Sequence, residues 1–457
     1  MTNFDKPNVL FIVIDSLRSD RCYGQHKSSF TPNLDMMIEN GILFTTSVSV
    51  APSTSISLAS IFTGLYPFKI GMSGVEYEKL DSKIPNFIDF FKNNGYTTHA
   101  TSSDVNDILG ITTDFDLKSN SKNYRNFYGL SRGLGEKLVR NLSSDMQQFP
   151  WFYYIHIYDL HEPIIVPHEF NDRKYGVSQY DRMLSSIDFW LGKILKVIDI
   201  NKTIIVITAD HGDYVRSIIR NNKEINMESS NFEKLTWKIG NNIPTSLGIN
   251  TKTISKLLQF VRSKHKKQKI SNLELSIYEK RLLQTTRMES GNHIFDDLLL
   301  VPLIFYGNII SHKQLITNQV RSIDIFPTIF DLCKLDYDHN IDGISLNPLI
   351  NGEKMSELPT YFESMPNIKS NVRKTIGIRT SEFKYVRSKD NPLIQQLYDL
   401  KNDPHEEKNI AKEFPEVINK MENILTQLIN QPKYETEHLE KKEREKVENE
   451  LRKLGYL

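Results

Sequence analysis

Residues 8–15 read NVLFIVID, a continuous apolar run that ends in an aspartate. A run without alternating polar residues is typical of a strand that is covered on both faces in a parallel sheet. Residues 203–213, TIIVITADHGD, repeat this pattern, and further strand-like runs lie at 151–158 and 301–307. Amphipathic helical stretches separate these runs. We therefore expect an α/β fold with a large mixed, mostly parallel sheet flanked by helices.

The rhythm of strands and helices divides the chain into regions. Residues 1–335 are expected to form the catalytic domain, which includes a polar, irregular insertion or cap at 214–290. A smaller C-terminal α+β region is expected at 336–432, and residues 433–457 contain opposite charges at helical spacing, which predicts an exposed charged helix. The basic segment 262–269 is interpreted as a solvated loop or helix end, or as a contact for an anionic substrate or a membrane surface.

Composition excludes several classes of protein. The 457 residues include 57 Lys+Arg and 56 Asp+Glu, so a net charge of +1 gives no sign of nucleic-acid binding. Two cysteines, Cys22 and Cys333, are too few for a disulfide framework. The start lacks a basic region followed by a long apolar stretch, and no run reaches the roughly 20 residues of a membrane span. We expect an intracellular, cytoplasmic protein.

Two aspartates and a histidine follow the buried runs. Ligands of α/β sheets bind beyond the carboxyl ends of the strands, which is where Asp15 and Asp210 are expected. With His211, these side chains could hold a divalent cation through oxygen ligands and one nitrogen. Each residue alone has a simpler explanation, such as a turn or a helix cap. Gly212 would permit the tight turn that aims both side chains at one point.

A hydroxyl-rich segment, residues 51–64, has the sequence APSTSISLASIFTG. A hydroxyl at a helix N-terminus lies among free N–H groups and suits a nucleophile that attacks an anionic ester. The alternative is helix capping. The residue types alone do not choose among the four candidates, which are Ser53, Thr54, Ser55 and Ser57.

Three further residues could act on an anion. His161 lies in DLHEP, just beyond the apolar run 151–158, and could bind a transferred group or protonate a leaving oxygen. His293 precedes the strand at 301–307 and is a second candidate for that work. Arg18, three residues after Asp15, could bind the anion or form an ion pair elsewhere.

Taken in chain order, these segments resemble the sulfatase family of the alkaline phosphatase superfamily. Seven segments carry the resemblance, and they are residues 8–20, 31–67, 154–163, 207–213, 295–307, 321–346 and 397–411. The resemblance implies an alkaline phosphatase-like fold and assigns a metal to Asp15, Asp210 and His211, with the nucleophile as a further ligand. Counting back from Thr63-Gly64 puts Thr54 at the position of that nucleophile.

Three residues depart from the family pattern. Ser16 replaces the second residue of an aspartate pair, Ile56 stands where the family motif has proline, and Leu58 stands where it has arginine. True sulfatases make a formylglycine from a cysteine or serine at the nucleophile position, so no formylglycine is expected at Thr54. The chain is in this respect similar to relatives that cleave phosphoesters, including phosphonate monoester hydrolases.

We therefore expect a metal-dependent hydrolase that cleaves phosphate monoesters, phosphodiesters or sulfate esters through a covalent intermediate on Thr54. The metal is expected to be Ca²⁺, Mn²⁺ or Mg²⁺, with Zn²⁺ as an alternative, and the substrate is a small anionic ester or a glycan- or lipid-linked ester. The alternatives are a sulfatase in the strict sense, a phosphotransferase that builds a surface polymer, and an inactive binding relative. The charged C-terminal helix could also pair with a second copy in a homo-oligomer.

Overall fold

The computed structural model describes most of the chain. The described residues are 6–24, 26–72, 78–120, 129–144, 149–162, 164–220, 223–227, 273–285, 294–308, 310, 312–337, 340–364, 374–434, 437–438, 442–443 and 445–447. His293 and the basic segment 262–269 therefore lie outside the described residues, as does most of the predicted insertion.

The secondary structure follows the alternation of strands and helices that the sequence predicts. The strands are β1 (Asn8–Ile14), β2 (Ile42–Val48), β3 (Glu78–Lys79), β4 (Thr97–Ser102), β5 (Leu117–Asn120), β6 (Trp151–Ile157), β7 (Thr203–Thr208), β8 (Ser217–Arg220), β9 (Lys223–Asn226), β10 (Leu300–Tyr306), β11 (Gln314–Arg321), β12 (Thr360–Glu363), β13 (Thr375–Arg379), β14 (Phe383–Ser388), β15 (Gln395–Asp399) and β16 (Glu437–His438). The α-helices are α1 (Ser19–Cys22), α2 (Pro32–Asn40), α3 (Thr54–Thr63), α4 (Pro67–Ile70), α5 (Phe87–Asn93), α6 (Asp104–Ile108), α7 (Leu134–Ser144), α8 (Gln179–Leu195), α9 (Ile277–Gln284), α10 (Asp296–Leu299), α11 (Ile325–Leu332), α12 (Asn347–Ile350) and α13 (Pro415–Ile429). Short 3₁₀ helices span Leu130–Arg132, His168–Phe170, Arg173–Tyr175 and Ser322–Asp324.

The central sheet has eight strands in the order β11-β2-β10-β7-β1-β6-β4-β5. Strand β1 pairs in parallel with both β6 and β7, and the outer strands continue the same direction. Only β10 runs antiparallel within this sheet, between β2 and β7. The carboxyl ends of β1, β2, β6 and β7 therefore lie at one edge, together with the start of β10. This large mixed, mostly parallel sheet confirms the predicted fold class.

Both faces of β1 are buried, as its uninterrupted apolar sequence predicts. Val9, Phe11 and Val13 pack into a core on one face with side chains of α3, α5 and α11. Leu10 and Ile12 pack into a second core on the other face with side chains of α2, α7 and α8. The two cores hold β1 rigidly, so the residue that follows it has a fixed position.

The C-terminal region is built on a four-stranded sheet in the order β12-β13-β14-β15, in which neighbouring strands are antiparallel. Helix α13 packs on it, and the shared core includes Val50 and Tyr66 from the segments around α3. The sheet is thus joined to the part of the chain that carries Thr54. The predicted boundary at residue 335 stays a prediction.

Two regions that the sequence marks as polar also contain regular structure. In the predicted insertion 214–290, β8 and β9 form an antiparallel hairpin, and α9 begins with a capping box between Ser276 and Glu279. In the predicted charged helix 433–457, β16 pairs with β3, and Val447 is buried in the same core as Val9 and Phe11. Among the helices of the described ranges, none combines the length and apolar character needed to cross a bilayer.

Candidate active site

Asp15 and Asp210 lie side by side at the carboxyl edge of the central sheet. Asp15 directly follows β1, and Asp210 lies two residues beyond the end of the adjacent strand β7. Both side chains are fully buried. Two buried carboxylates require partners or a cation, because an isolated charge in an apolar environment is costly.

Ser16 orients the two carboxylates. Its hydroxyl donates to Asp15 Oδ1 at 2.6 Å, and its backbone N–H donates to Asp210 Oδ1 at 3.1 Å. Ser16 has φ of 63°, a left-handed conformation that a non-glycine residue adopts at a cost. One oxygen of each carboxylate is thus engaged, and the two Oδ2 atoms remain for the other groups of the site.

Among the four candidate hydroxyls, the structure brings Thr54 to the carboxylates. Thr54 is the first residue of α3, and its Oγ1 lies 3.3 Å from Asp15 Oδ2. Ser57 instead donates to the carbonyl oxygen of Ala51 at 2.7 Å. Ser53 is the N-cap residue, but its side chain makes no capping hydrogen bond. Thr54 is also partly exposed, so a ligand can reach it.

Ser49 ties the segment that carries Thr54 to the segment that carries Asp210. Its hydroxyl donates to the backbone carbonyl of Asp210 at 2.5 Å and lies 3.0 Å from the Ser57 hydroxyl. These contacts join the loop after β2 to the loop after β7. The position of Thr54 relative to Asp210 is therefore fixed by buried hydrogen bonds.

His211 completes the contact with Thr54. Its Nδ1 lies 2.8 Å from the carbonyl oxygen of Gly212, and since a carbonyl only accepts, Nδ1 carries a proton. Nε2 of the neutral ring is then an acceptor, and it lies 3.3 Å from Thr54 Oγ1 and 3.4 Å from Asp210 Oδ2. Gly212 is needed for space, because a Cβ there would lie 2.1 Å from the carbonyl oxygen of Asp297.

His156 belongs to the same group, although sequence reasoning did not select it. It is the penultimate residue of β6, it is buried, and its Nε2 lies 3.8 Å from Asp15 Oδ2. Burial lowers the pKa of His156, although the charges of Asp210 and Asp15 oppose this effect. The sequence signal that could have identified it is a histidine near the end of an otherwise apolar and aromatic strand.

Of the two histidines proposed to act on the anion, the structure describes His161 but not His293. His161 lies just beyond β6, and its Nδ1 is 2.8 Å from the carbonyl oxygen of Glu162, so Nδ1 carries a proton. Its ring is near enough to His156 to be among the groups that lower the pKa of His156, so the two histidines are neighbours. His293 lies outside the described residues, and its role stays a prediction.

Arg18 is held by carboxylates of its own. Its guanidinium pairs with Asp20 and Asp297, each at 2.7 Å, and donates to the backbone carbonyl of Asp213 at 3.2 Å. The side chain is buried, and the two neighbouring acids help to hold its pKa well above the usual range against the opposing effect of burial. Of the two roles expected for Arg18, anion binding or an ion pair within the protein, this geometry favours the ion pair.

The arrangement fits a divalent cation. Asp15, His156 and Asp210 each offer a ligand atom, and these atoms lie within 4.8 Å of one another. His156 Nε2 and Asp210 Oδ2 are buried and make no hydrogen bond within the described part of the chain. Buried polar atoms without partners are uncommon, and a bound ion would satisfy both. Thr54 and His211 are adjacent and could complete the ligand set.

The sulfatase family model matches residues 7–335, and a model described as N-sulphoglucosamine sulphohydrolase, C-terminal, matches residues 290–431. Arylsulfatase K of Gallus gallus is 23% identical, and the match covers 94% of this chain and 83% of that protein. Arylsulfatase K of Homo sapiens is 30% identical over 168 residues, which are 35% of this chain and 30% of that protein.

Solved structures share the fold. A 2-O GAG sulfatase matches with a TM-score of 0.66 and 18% identity, over 96% of each chain. The phosphonate monoester hydrolase of Agrobacterium radiobacter matches with a TM-score of 0.65 and 19% identity, over 93% of this chain and 95% of that one. The chain therefore belongs to the sulfatase family of ester hydrolases.

Proposed function

We propose that this ester hydrolase cleaves an anionic phosphate monoester, phosphodiester or sulfate ester by covalent attack of Thr54. The observation that carries the proposal is the position of the Thr54 hydroxyl, 3.3 Å from both Asp15 Oδ2 and His211 Nε2. The oxygen lies at the N-terminus of α3, where free backbone N–H groups favour negative charge. A partly exposed hydroxyl between two acceptors, at the positive end of a helix, is suited to attack an anionic ester.

The proton of Thr54 has two nearby destinations. Asp15 Oδ2 is an acceptor, and Nε2 of neutral His211 is another. As Thr54 Oγ1 forms a bond to phosphorus or sulfur, its proton passes to Asp15, because Nε2 of His211 would have no lone pair left for it if it held a cation, and the bond to the leaving oxygen breaks. A water molecule then attacks the bound group and restores the threonine, and it releases phosphate from a monoester, a phosphate monoester from a diester, or sulfate from a sulfate ester.

A divalent cation fits beside this hydroxyl. We propose that Asp15, Asp210, His211 and Thr54 hold it, as the family resemblance implies. When bound, the cation would lower the pKa of the hydroxyl and neutralise charge on the ester oxygens. Carboxylate oxygens suit Ca²⁺, Mg²⁺ and Mn²⁺, whereas imidazole nitrogen also suits Zn²⁺.

His161 is proposed to act on the leaving group. Its Nδ1 proton is engaged by the carbonyl oxygen of Glu162, so only Nε2 can face a substrate. In the imidazolium form Nε2 carries a proton that it can give to the leaving oxygen, and a protonated ring also attracts the anionic group. His161→Asn tests this role. It should reduce the rate of hydrolysis more for substrates with poor leaving groups than for substrates with good ones.

The absence of a cysteine at position 54 favours phosphorus over sulfur. Both cysteines are buried in the cores, and burial raises the pKa of each thiol to about 12, so neither supplies a thiolate at the site. A formylglycine hydrate can expel sulfate with its second hydroxyl, but a threonine ester has none. Its turnover needs attack at the bound group itself, and we infer that phosphoesters are the better substrates.

Sulfate ester hydrolysis is the second candidate function. It is favoured by the arylsulfatase K relatives, of which that of Gallus gallus aligns with 94% of this chain, and by the match to the sulfatase model. The structural match to a 2-O GAG sulfatase supports a glycan as the carrier of the ester. In this case Thr54 would form a sulfated intermediate, and water would attack it at sulfur.

Initial rates on matched p-nitrophenyl esters test the proposal. Sulfate, phosphate, phosphodiester and phosphonate would each be offered with Ca²⁺, Mn²⁺, Mg²⁺ or Zn²⁺. We expect metal-dependent release from a phosphorus ester that disappears in Thr54→Ala and persists in the control Ser55→Ala, which changes the next hydroxyl along α3. Release from the sulfate alone would overturn the preference for phosphorus, and an active Thr54→Ala enzyme would overturn the nucleophile.

A further inference from the structure

His156 offers a nitrogen to the centre of the site from inside a strand. In the register of the sheet it lies opposite Val13, two residues before Asp15. Its Nε2 is 3.8 Å from Asp15 Oδ2 and has no hydrogen-bond partner within the described ranges, and the same holds for Asp210 Oδ2. A buried strand cannot rearrange easily, so this nitrogen is fixed in place toward the carboxylates.

The opposite side of the ring meets Asn106. The Nδ1 atom of His156 lies 3.3 Å from the side-chain amide of Asn106, which is buried on α6. The same amide lies 2.8 Å from Ser102 Oγ and 3.1 Å from Tyr158 OH. The Ser102 hydroxyl can donate or accept, whereas Tyr158 OH donates to Ser103 Oγ at 2.9 Å, so it can meet the amide oxygen when Ser103 takes over as the donor of that hydrogen bond.

The amide decides which ring nitrogen is available to a cation. If the nitrogen of Asn106 faces His156, Nδ1 accepts, and Nε2 of the neutral ring carries a proton that blocks coordination. If the oxygen of Asn106 faces His156, Nδ1 donates, and Nε2 presents its lone pair to Asp15 and Asp210. The second arrangement satisfies the buried atoms on both sides of the ring once a cation is present.

We propose that His156 is a metal ligand, that Asn106 holds it in its metal-binding tautomer, and that this nitrogen makes the site prefer a transition metal such as Zn²⁺ over Ca²⁺ and Mg²⁺. The inference rests on the proposed function, because it concerns the same cation. Imidazole nitrogen is a good ligand for Zn²⁺, whereas Ca²⁺ and Mg²⁺ prefer oxygen. With His211, the site has two imidazoles beside two carboxylates.

The test is metal binding by the chelator-stripped protein, followed by calorimetry with Zn²⁺ and with Ca²⁺. We expect wild type to bind Zn²⁺ more tightly than Ca²⁺. His156→Gln replaces the nitrogen by an amide and should weaken Zn²⁺ binding by at least ~10-fold while changing Ca²⁺ binding much less. The absorption spectrum of the Co²⁺-loaded protein should change with it, because a nitrogen ligand has been lost.

Asn106 is tested by two variants of similar size. Asn106→Leu removes the acceptor for Nδ1 and should weaken Zn²⁺ binding roughly 10–100-fold. Asn106→Asp retains an acceptor and should keep the wild-type affinity and Co²⁺ spectrum. The control is Asn141→Leu, because Asn141 is a partly buried residue whose amide lies 3.4 Å from Tyr153 OH.

Several outcomes would overturn the inference. Tighter binding of Ca²⁺ than of Zn²⁺ by wild type would refute the metal preference, and unchanged Zn²⁺ binding in His156→Gln would refute the ligand. Loss of binding in Asn106→Asp as well as in Asn106→Leu would show that the amide acts as a donor. A wild-type protein that binds none of these ions would also refute the metal of the proposed function, whereas the other outcomes leave that function intact.

Discussion

The hydroxyl oxygen of Thr54 lies 3.3 Å from Nε2 of His211, although 157 positions separate the two residues in the chain. The contact exists because β2 and β7 both end at the same edge of the sheet, with β10 between them. Ser49 locks the two loops together through the backbone of Asp210. The Thr54 hydroxyl and the His211 nitrogen are thus held close together by the sheet and by buried hydrogen bonds.

The first prediction concerns the hydroxyl of Thr54. Thr54→Val has nearly the same shape but no oxygen, so it should reduce kcat by at least ~10³-fold while leaving the thermal unfolding temperature near that of wild type. Thr54→Ser keeps the oxygen and should retain part of the activity. Comparable rates for the Val and Ser variants would show that the hydroxyl is dispensable.

A second prediction concerns Ser16. Ser16→Ala removes the hydroxyl that holds Asp15 Oδ1 at 2.6 Å but keeps the N–H that holds Asp210. With Asp15 no longer fixed, metal affinity should fall roughly 10-fold. Titration of the chelator-stripped variant with Zn²⁺ and Mn²⁺ measures this effect. An affinity equal to that of wild type would mean that the backbone alone orients the site.

Arg18 yields a third prediction. Arg18→Gln removes the guanidinium 2.7 Å from the buried carboxylate of Asp297, which keeps Arg281 at 3.1 Å and the Tyr278 hydroxyl at 3.2 Å, and it removes the nearer of the two arginines that pair with Asp20. Breaking a buried ion pair costs about 3–5 kcal/mol, so urea unfolding should show a marked loss of stability. If Arg18→Gln instead raises KM and leaves the free energy of unfolding unchanged, Arg18 binds the anionic substrate.

The fourth prediction concerns pH and Asp159, which lies two residues before His161. Burial raises its pKa from 3.8 to about 7, although the N–H of Leu130 stabilises the charged form. Because the folded state binds this proton more tightly, Asp159 contributes stability at low pH and loses it as pH rises through about 7. The free energy of unfolding should therefore decrease from about pH 4 to about pH 8.

Asp159→Asn provides the comparison for this pH dependence. It keeps an oxygen for the Leu130 N–H but has no titrating proton, so its stability should vary less over the same range. Denaturant unfolding at several pH values measures the difference between the two proteins. Parallel curves for wild type and Asp159→Asn would show that Asp159 does not titrate in this range.

The sequence alone predicts the central sheet and the cluster of Asp15, Asp210 and His211 at its edge. The apolar runs that end in Asp15 and Asp210 identify parallel strands, and parallel strands place the residues after them at one edge. The direction of β10 could not be predicted in this way, because an apolar run such as 301–307 carries no information on its orientation. The cytoplasmic location and a homo-oligomer also stay predictions, because neither depends on the fold of one chain.

The remaining site residues could not be identified from the sequence, because their positions depend on which strands pair and in what register. His156 lies within a buried strand, so its role depends on the register between β1 and β6, which the sequence does not show. Asn106 lies after β4 and reaches the site only because β4 pairs with β6. Ser16 stands where the family pattern has a second aspartate, and the structure shows that its hydroxyl and N–H orient Asp15 and Asp210.

The covalent role of Thr54 is tested most directly by mass spectrometry of enzyme quenched with acid during turnover of a p-nitrophenyl phosphoester. We expect the peptide that contains Thr54 to carry a phosphoryl group, and the same peptide from Thr54→Val to carry none. Steady hydrolysis by wild type without any adduct on this peptide, or an adduct on another residue, would contradict attack by Thr54.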